Sequence, residues 1–275
     1  MYRNSILLLL AFTTLALQAQ RKPKIKGNRT VIEVKESLPA FNKIEVRDDL
    51  DISLKRTTSE GYSITADDNL IDVLKFRVED STLVISSFYQ ITAKKKLEIE
   101  IGYTQLGSIL LSEGRIETKD KINVDRLRIT SLGSSKLDLS ADVGILEIVM
   151  EANSSGTFNI TADSLSVSLE NKADASVYSN AFRNQLQMSG NSSLTWEGTA
   201  DDLTATMSGD ASLKAENLEV QEVTAKMETS SDARFFVLNT ISISQQGTSR
   251  CYLYGEPKIE VLLFTDAAEL LKRKQ

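Results

Sequence analysis

The stretch Ser208-Gly209-Asp210-Ala211-Ser212-Leu213 decides the fold, because degenerate copies of it return about once every nineteen residues through the C-terminal half of the chain. A glycine and a small polar pair lead into an apolar residue that opens an alternating run. The same pattern stands at Gly133-Ser134-Ser135-Lys136-Leu137, Gly190-Asn191-Ser192-Ser193-Leu194 and Gly247-Thr248-Ser249-Arg250-Cys251. Weaker copies are Asp174-Ala175-Ser176-Val177 and Asp232-Ala233-Arg234-Phe235.

Upstream of each turn lies a second alternating run, beginning at positions 127, 146, 165, 186, 203, 223 and 241, in steps of 19, 19, 21, 17, 20 and 18 residues. Alternation places one apolar set on one face of a strand. A fixed period near twenty residues means stacked repeats, because a single rung cannot bury its own apolar face. The expected fold is therefore all-β, a right-handed parallel β-helix (solenoid) of about 19-residue rungs with an irregular β-rich N-terminal part. Regular rungs are expected from about 106–127 onward.

Residues 1–19 read as a secretory signal: Arg3 supplies positive charge, Ile6 to Leu17 an apolar core, and Leu17-Gln18-Ala19 a cleavage site. The apolar run is shorter than the roughly 20 residues of a spanning helix. No Cys follows it, so no lipid attachment is expected. Export to the periplasm, cell surface or medium follows from that signal. Residues 20–29, with Arg21-Lys22-Pro23-Lys24-Ile25-Lys26, read as a solvated basic tail.

Without Arg3 the chain carries 31 basic and 38 acidic residues, a net charge of −7, which gives no support to a nucleic-acid partner. Cys251 is the only cysteine, so no disulfide forms within the chain. It aligns with the inward Leu213, which makes it a buried small side chain.

In chain order, Thr30 to Glu36, Phe41 to Arg47 and Leu50 to Leu54 alternate as strands. Asp67-Asp68-Asn69 caps a short helical stretch over Leu70 to Leu74, and Asp80-Ser81 turns a hairpin between Phe76–Glu79 and Thr82–Ser86. Lys94-Lys95-Lys96 reads as an exposed turn. The main domain spans 30–258. Residues 259–275 read as a strand and a short helix, Ala267 to Lys274, that caps the solenoid.

The sequence resembles the auto-transporter adhesins with the head GIN domain, found in exported proteins of Bacteroidetes. The resemblance spans roughly 28–258. It is carried by Phe41-Asn42-Lys43-Ile44-Glu45-Val46, Asp51-Ile52-Ser53-Leu54, Asp67-Asp68-Asn69-Leu70-Ile71 and Val78 to Ile85, then by the glycine-led rungs and Tyr254-Gly255-Glu256-Pro257. It implies a parallel β-helix and an adhesion role, and brings no catalytic residues.

The chain has no His, which removes Ser-His-Asp and Cys-His catalysis and every His-containing metal site. Catalysis is left to paired carboxylates, Asp48/Asp49, Asp67/Asp68 and Asp201/Asp202. Neighbours on a strand point to opposite faces, and turn carboxylates bond backbone, so these doublets read as structural. Stacked Ser134, Asp174, Asn191, Asp210, Asp232 and Thr248 offer oxygen for calcium, although turn chemistry accounts for them. Thus no catalytic, metal or cofactor site is expected. Trp196 shares parity with Leu194 and belongs inside; Tyr178, Tyr252 and Tyr254 have outward parity and form the expected contact surface. The function read from these features is a non-enzymatic binding module for a glycan or an envelope protein. The alternatives are a polysaccharide-active enzyme with a carboxylate cluster and a structural protein that associates with its own copies.

Overall fold

The computed structural model describes residues 22–274; the signal segment expected at 1–19 lies outside them. Strands make up 69% of the described residues and helix 2%, arranged as a β-solenoid of about 9 turns with rungs about 19 residues apart.

Chain order begins with β1 (Lys24–Lys26), β2 (Val31–Ser37), β3 (Lys43–Val46), β4 (Asp51–Arg56), β5 (Gly61–Asp67), α1 (Asp68–Ile71), β6 (Leu74–Glu79), β7 (Thr82–Ser87), β8 (Gln90–Ala93) and β9 (Leu97–Tyr103). It continues through β10 (Ser108–Leu111), β11 (Arg115–Thr118), β12 (Ile122–Ser131), β13 (Lys136–Met150), β14 (Ser155–Leu169), β15 (Asp174–Met188) and β16 (Ser193–Met207). The last five are β17 (Ser212–Met227), β18 (Asp232–Gln245), β19 (Arg250–Tyr254), β20 (Lys258–Phe264) and β21 (Glu269–Lys272).

Each central rung is one long strand, so the two short runs read from the sequence are its two legs. β13 to β16 each have 15 residues, and the four pair with one another in sequence, parallel and in unbroken register. The legs meet at a corner where two consecutive side chains point outward, as at Asp163-Ser164 and Phe182-Arg183, and alternation resumes one residue later. That extra outward residue bends the strand and keeps both apolar sets facing one core.

The inward columns explain the uneven steps of the sequence. Leu127, Leu146, Leu165, Asn184 and Leu203 stack in one column, spaced 19 residues apart. Asn184 occupies the place where an apolar residue was sought, which is why the run seemed to start at 186. It is buried, and its amide donates to the Ala181 carbonyl at 3.1 Å and, at 3.4 Å, to that of Asp202. The following step of 20 comes from a bulge in β17, where Ala215 and Glu216 oppose Trp196 alone. Met150, Met188, Met207 and Met227 share another inward column, where an unbranched side chain fills the space beside the turn. Cys251 and Trp196 are buried as expected; burial pushes the Cys251 thiol up to about 12.

The turns set the register. Gly133, Ala152, Asn171, Gly190, Gly209, Thr229, Gly247 and Asp266 each open a turn with positive φ, between 60° and 75°. Hydrogen bonds run from turn to turn, such as Asn191 N–H to the Asn171 carbonyl at 2.6 Å and Asp210 N–H to the Gly190 carbonyl at 2.7 Å. Asn171 and Thr229 therefore take the glycine position in rungs that lack glycine. Asp174 and Asp232 stand at the start of the next strand, opposite Ser193 and Ser212. The sequence alignment placed them two residues off. A slip of two preserves alternation, so apolar parity cannot detect it.

The solenoid begins earlier than 106–127 and is threaded out of order. β3 lies between β7 and β10, and β4 between β9 and β11, so the rung of residues 82–103 is stacked outside the rung of 43–56. Antiparallel strands close this end: β6 on β7, and β5 then β2 on β9. In place of the helix read over Leu70 to Leu74 there is a single turn, Asp68–Ile71, with no side-chain cap bond from Asp67, and Leu74 already belongs to β6.

Two expectations at the ends are corrected. Lys24–Lys26 is a strand paired parallel with β8, because the Asp67 carboxylate, Asn69 and the Ala93 carbonyl hold the following segment against the solenoid. Its lysines are exposed, but its backbone is docked. Residues 269–272 form β21 on β19, in place of the expected helix: the ladder offers Ser249 and Leu253 carbonyls to Glu269 and Arg273 N–H at 2.9 Å. Tertiary pairing overrides the local helical preference.

Candidate functional site

Three successive outward side chains of β15, Tyr178, Asn180 and Phe182, stand in a row on the outer surface of the solenoid. Tyr178 is 50% exposed and Phe182 60%, unusual for large apolar side chains away from an end of the stack. Phe182 sits at the corner of its rung, with Asp163 and Asp201 above and below it in the same column. The inward residue just before the corner is small in three adjacent rungs, Ala162, Ala181 and Ala200. Alanine there leaves a dip, and a groove of about 300 Å³ runs along the solenoid over those alanines.

The walls are polar. One carries Thr161, Asn180 and Thr199, with the Thr199 hydroxyl donating to Asn180 Oδ1 at 2.9 Å. The other carries Asp163, Phe182 and Asp201. Hydroxyl, amide and carboxylate groups thus repeat at the rung spacing of about 4.8 Å on both sides of an aromatic ring. Such a surface offers paired donors and acceptors to a polar chain and a face for stacking.

Of the tyrosines expected at a contact surface, Tyr178 lies beside this groove, but Tyr252 and Tyr254 do not join it. They sit on β19, four rungs away, or about 19 Å at the usual strand spacing. Tyr252 lies between the Arg234 and Arg273 guanidinium groups, 5.9 and 5.1 Å from its ring centroid. Phe182 was missed in the sequence, although the parity that marks Tyr178 as outward marks Phe182 as well.

The carboxylate doublets do other work. Asp48 accepts from Lys22 Nζ and, at 2.8 Å, from Ser87 N–H, while Asp49 is exposed. Asp67 is buried and accepts Lys95 N–H at 3.0 Å and Lys96 N–H at 3.3 Å. These backbone donors hold its carboxyl below the usual range. Asp68 accepts from the Asn28 amide. Hence Asp48, Asp67 and Asp68 help fasten the first segment of the chain. Asp201 and Asp202 both point outward because they straddle the corner, contrary to the opposite faces expected of strand neighbours.

For calcium, Ser134, Asn191, Asp210 and Thr248 share a turn column, but Lys172 intervenes and Asp174 and Asp232 stand elsewhere. Among the described residues no group of three or more His, Cys, Asp or Glu is placed to hold a metal.

A larger trough of about 650 Å³ lies on the outer surface of β2, β5, β9, β4 and β11. Its charges neutralise one another: Lys119 with Glu100 at 2.5 Å, Lys35 with Glu33 at 2.7 Å, and Arg115 with Glu117 and Asp138 at 3.6 Å. That leaves little unspent charge to draw a ligand.

The family model described as "Putative auto-transporter adhesin, head GIN domain" matches residues 40–160 and 151–257. The chain belongs to this family. No curated protein matches the sequence. Two crystal structures titled as putative adhesins share the fold. The one from Parabacteroides merdae has 17% identity and a TM-score of 0.65, covering 91% of this chain and 99% of its own. The other, from Parabacteroides distasonis, has 17% identity and a TM-score of 0.67, covering 91% and 100%. A third, titled a putative lipid binding protein from Parabacteroides distasonis, has 18% identity and a TM-score of 0.54, covering 92% and 98%. No helix among the described residues is long and apolar enough to cross a membrane.

Proposed function

We propose that this head GIN domain protein is an exported, non-enzymatic binding module that holds a glycan chain along the corner groove of β14 to β16. The observation that carries the reading is Phe182, an exposed ring in one wall of a groove that runs over alanines and faces a second, polar wall. A pyranose ring stacks on such a face while its hydroxyls exchange hydrogen bonds with Thr161, Asn180 and Thr199. The family description supports an adhesion role at the surface or outside the cell.

The groove carboxylates support binding over catalysis. Asp163 and Asp201 belong to one wall with Phe182 between them, and both are exposed. Carboxylate pairs that divide acid and base roles do so through unequal burial.

The test is an array of bacterial envelope and mucin glycans, followed by calorimetry on the strongest binder. Phe182→Ala should weaken binding at least tenfold, as expected for loss of one stacking contact of about 1.4 kcal/mol, with the strand circular-dichroism signal unchanged. Unaltered affinity in Phe182→Ala would remove the groove from consideration. Release of reducing ends from the bound glycan, abolished in Asp163→Asn or Asp201→Asn, would instead establish the enzyme.

A further inference from the structure

The corner groove is lined by four carboxylates and by no lysine or arginine. Asp142 and Glu219 stand at the two ends of the Thr161, Asn180 and Thr199 column, and Asp163 and Asp201 flank Phe182. Elsewhere on the solenoid carboxylates are spent on cations: Asp138 on Arg115, Glu147 on Arg128, Glu216 on Arg234 and Glu228 on Lys226. The four groove carboxylates are exposed, and among the described residues none of them enters an ion pair. Arg183, just past the corner, lies in a different column, with Asp202 and then Glu222 as its neighbours there.

Their spacing suits charge spread along a chain. Asp163 and Asp201 are two rungs apart and Asp142 and Glu219 four, about 10 and 19 Å at the usual strand spacing. That is too wide to share one metal ion, and among the described residues no group of three acidic side chains is placed to hold one. Donors are also scarce at the corner. The Thr199 hydroxyl is already given to Asn180 Oδ1. Behind the groove, Asn184, only 5% exposed, donates its amide to the Ala181 and Asp202 carbonyls, and its Oδ1 has no partner among the described residues. A buried acceptor without a donor is uncommon. An ammonium group donates only, and an aromatic face attracts it within about 6 Å of the ring centroid.

We infer that the glycan held in this groove is cationic, a chain of sugars carrying free amino groups. The inference rests on the glycan reading above and adds the charge of the ligand. An ammonium over the Phe182 ring lies between Asp163 and Asp201, each one rung away, or about 5 Å. A neutral chain would strip water from the carboxylates and return nothing, while an acidic chain would add repulsion. A lysine-rich peptide answers the charge, but the Thr161, Asn180 and Thr199 wall repeats hydroxyl and amide groups at every rung, which suits the ring hydroxyls of a sugar polymer. Amine, hydroxyl and ring face are then matched together.

Calorimetry in slightly acid buffer, where sugar amines are protonated, tests this with three probes: a glucosamine hexasaccharide, its fully N-acetylated counterpart and a lysine hexapeptide. The glucosamine chain should bind at least about tenfold more tightly than the acetylated one, and the preference should shrink with added salt. Asp163→Asn with Asp201→Asn should abolish that preference and leave binding of the acetylated chain no weaker. Glu170→Gln with Asp174→Asn removes the same charge far from the corner and should leave the preference in place. Equal or tighter binding of the acetylated chain, weakened by Phe182→Ala, would overturn the charge inference and leave the glycan groove standing. No binding of either sugar would remove both. A preference lost equally in the two double variants would reduce it to the overall negative charge, and a lysine peptide bound as tightly as the glucosamine chain would make the groove a site for basic peptides; either result overturns the inference.

Discussion

Gly198 is the residue that the ladder tolerates least in any other form. Its φ of +118° lies where only glycine is at ease, and a Cβ there would stand 1.9 Å from the Ser179 carbonyl oxygen of the rung below. It stands two residues beyond Trp196, whose indole N–H donates to Ser179 Oγ at 2.7 Å inside the core. The wide indole and the close backbone approach are met by one missing side chain. Gly198→Ala should therefore cost at least about 3 kcal/mol, read as a lowered urea midpoint. The turn residues behave differently. At φ near +63° an L side chain is strained but fits, as Asn171 and Thr229 show. Thr229→Gly should hold stability or raise it by up to about 1 kcal/mol, in the same assay.

Between elements, the Asp67 carboxylate is one of several contacts that hold the first strand, beside Asn69, Asp48 and Asp68. Asp67 lies at the end of β5 with its oxygens against Gly27 and on the Lys95 and Lys96 amides, so it joins β1 to the turn before β9. Its proton affinity is lowered, chiefly by the Lys95 amide. A carboxyl bound less tightly to its proton in the folded state contributes stability above the unfolded value, about 4, and loses it as pH falls through the lower folded value. Asp67→Asn should flatten that acid loss of the urea midpoint and, at pH 7, open the Lys26–Asn28 segment to limited proteolysis. An unchanged acid profile would move the anchoring to Asn69 and Asp48. The sequence could not show this attachment, since Asp67 and Gly27 are far apart in the chain and the basic composition of 21–26 reads as solvated. Period and parity made the rungs, Trp196, Cys251 and Tyr178 legible, because each is a property of neighbouring residues. Asn184, a buried polar residue in an apolar column, hid one rung start. The left-handed Asn171 and Thr229 hid two turns. The out-of-order stacking of 43–56 inside 82–103 had no local signature, and Phe182 was legible but unread.

Across the whole molecule, stability should follow position in the stack. In a solenoid each rung is held by its two neighbours, so β14 to β17, covered on both sides, form the cooperative centre. The N-terminal rungs end in antiparallel strands, whereas the β20–β21 rung is covered on one side and exposes its apolar residues. Opening that rung breaks one row of backbone bonds and exposes little new apolar surface, while opening a central rung breaks two rows and uncovers the core. Amide hydrogen exchange on dilute protein should therefore be fastest in β20 and β21. Amides of β15 and β16 should be slower by at least a hundredfold, about 3 kcal/mol of opening free energy. Uniform exchange along the stack would mean that the rungs unfold as one unit.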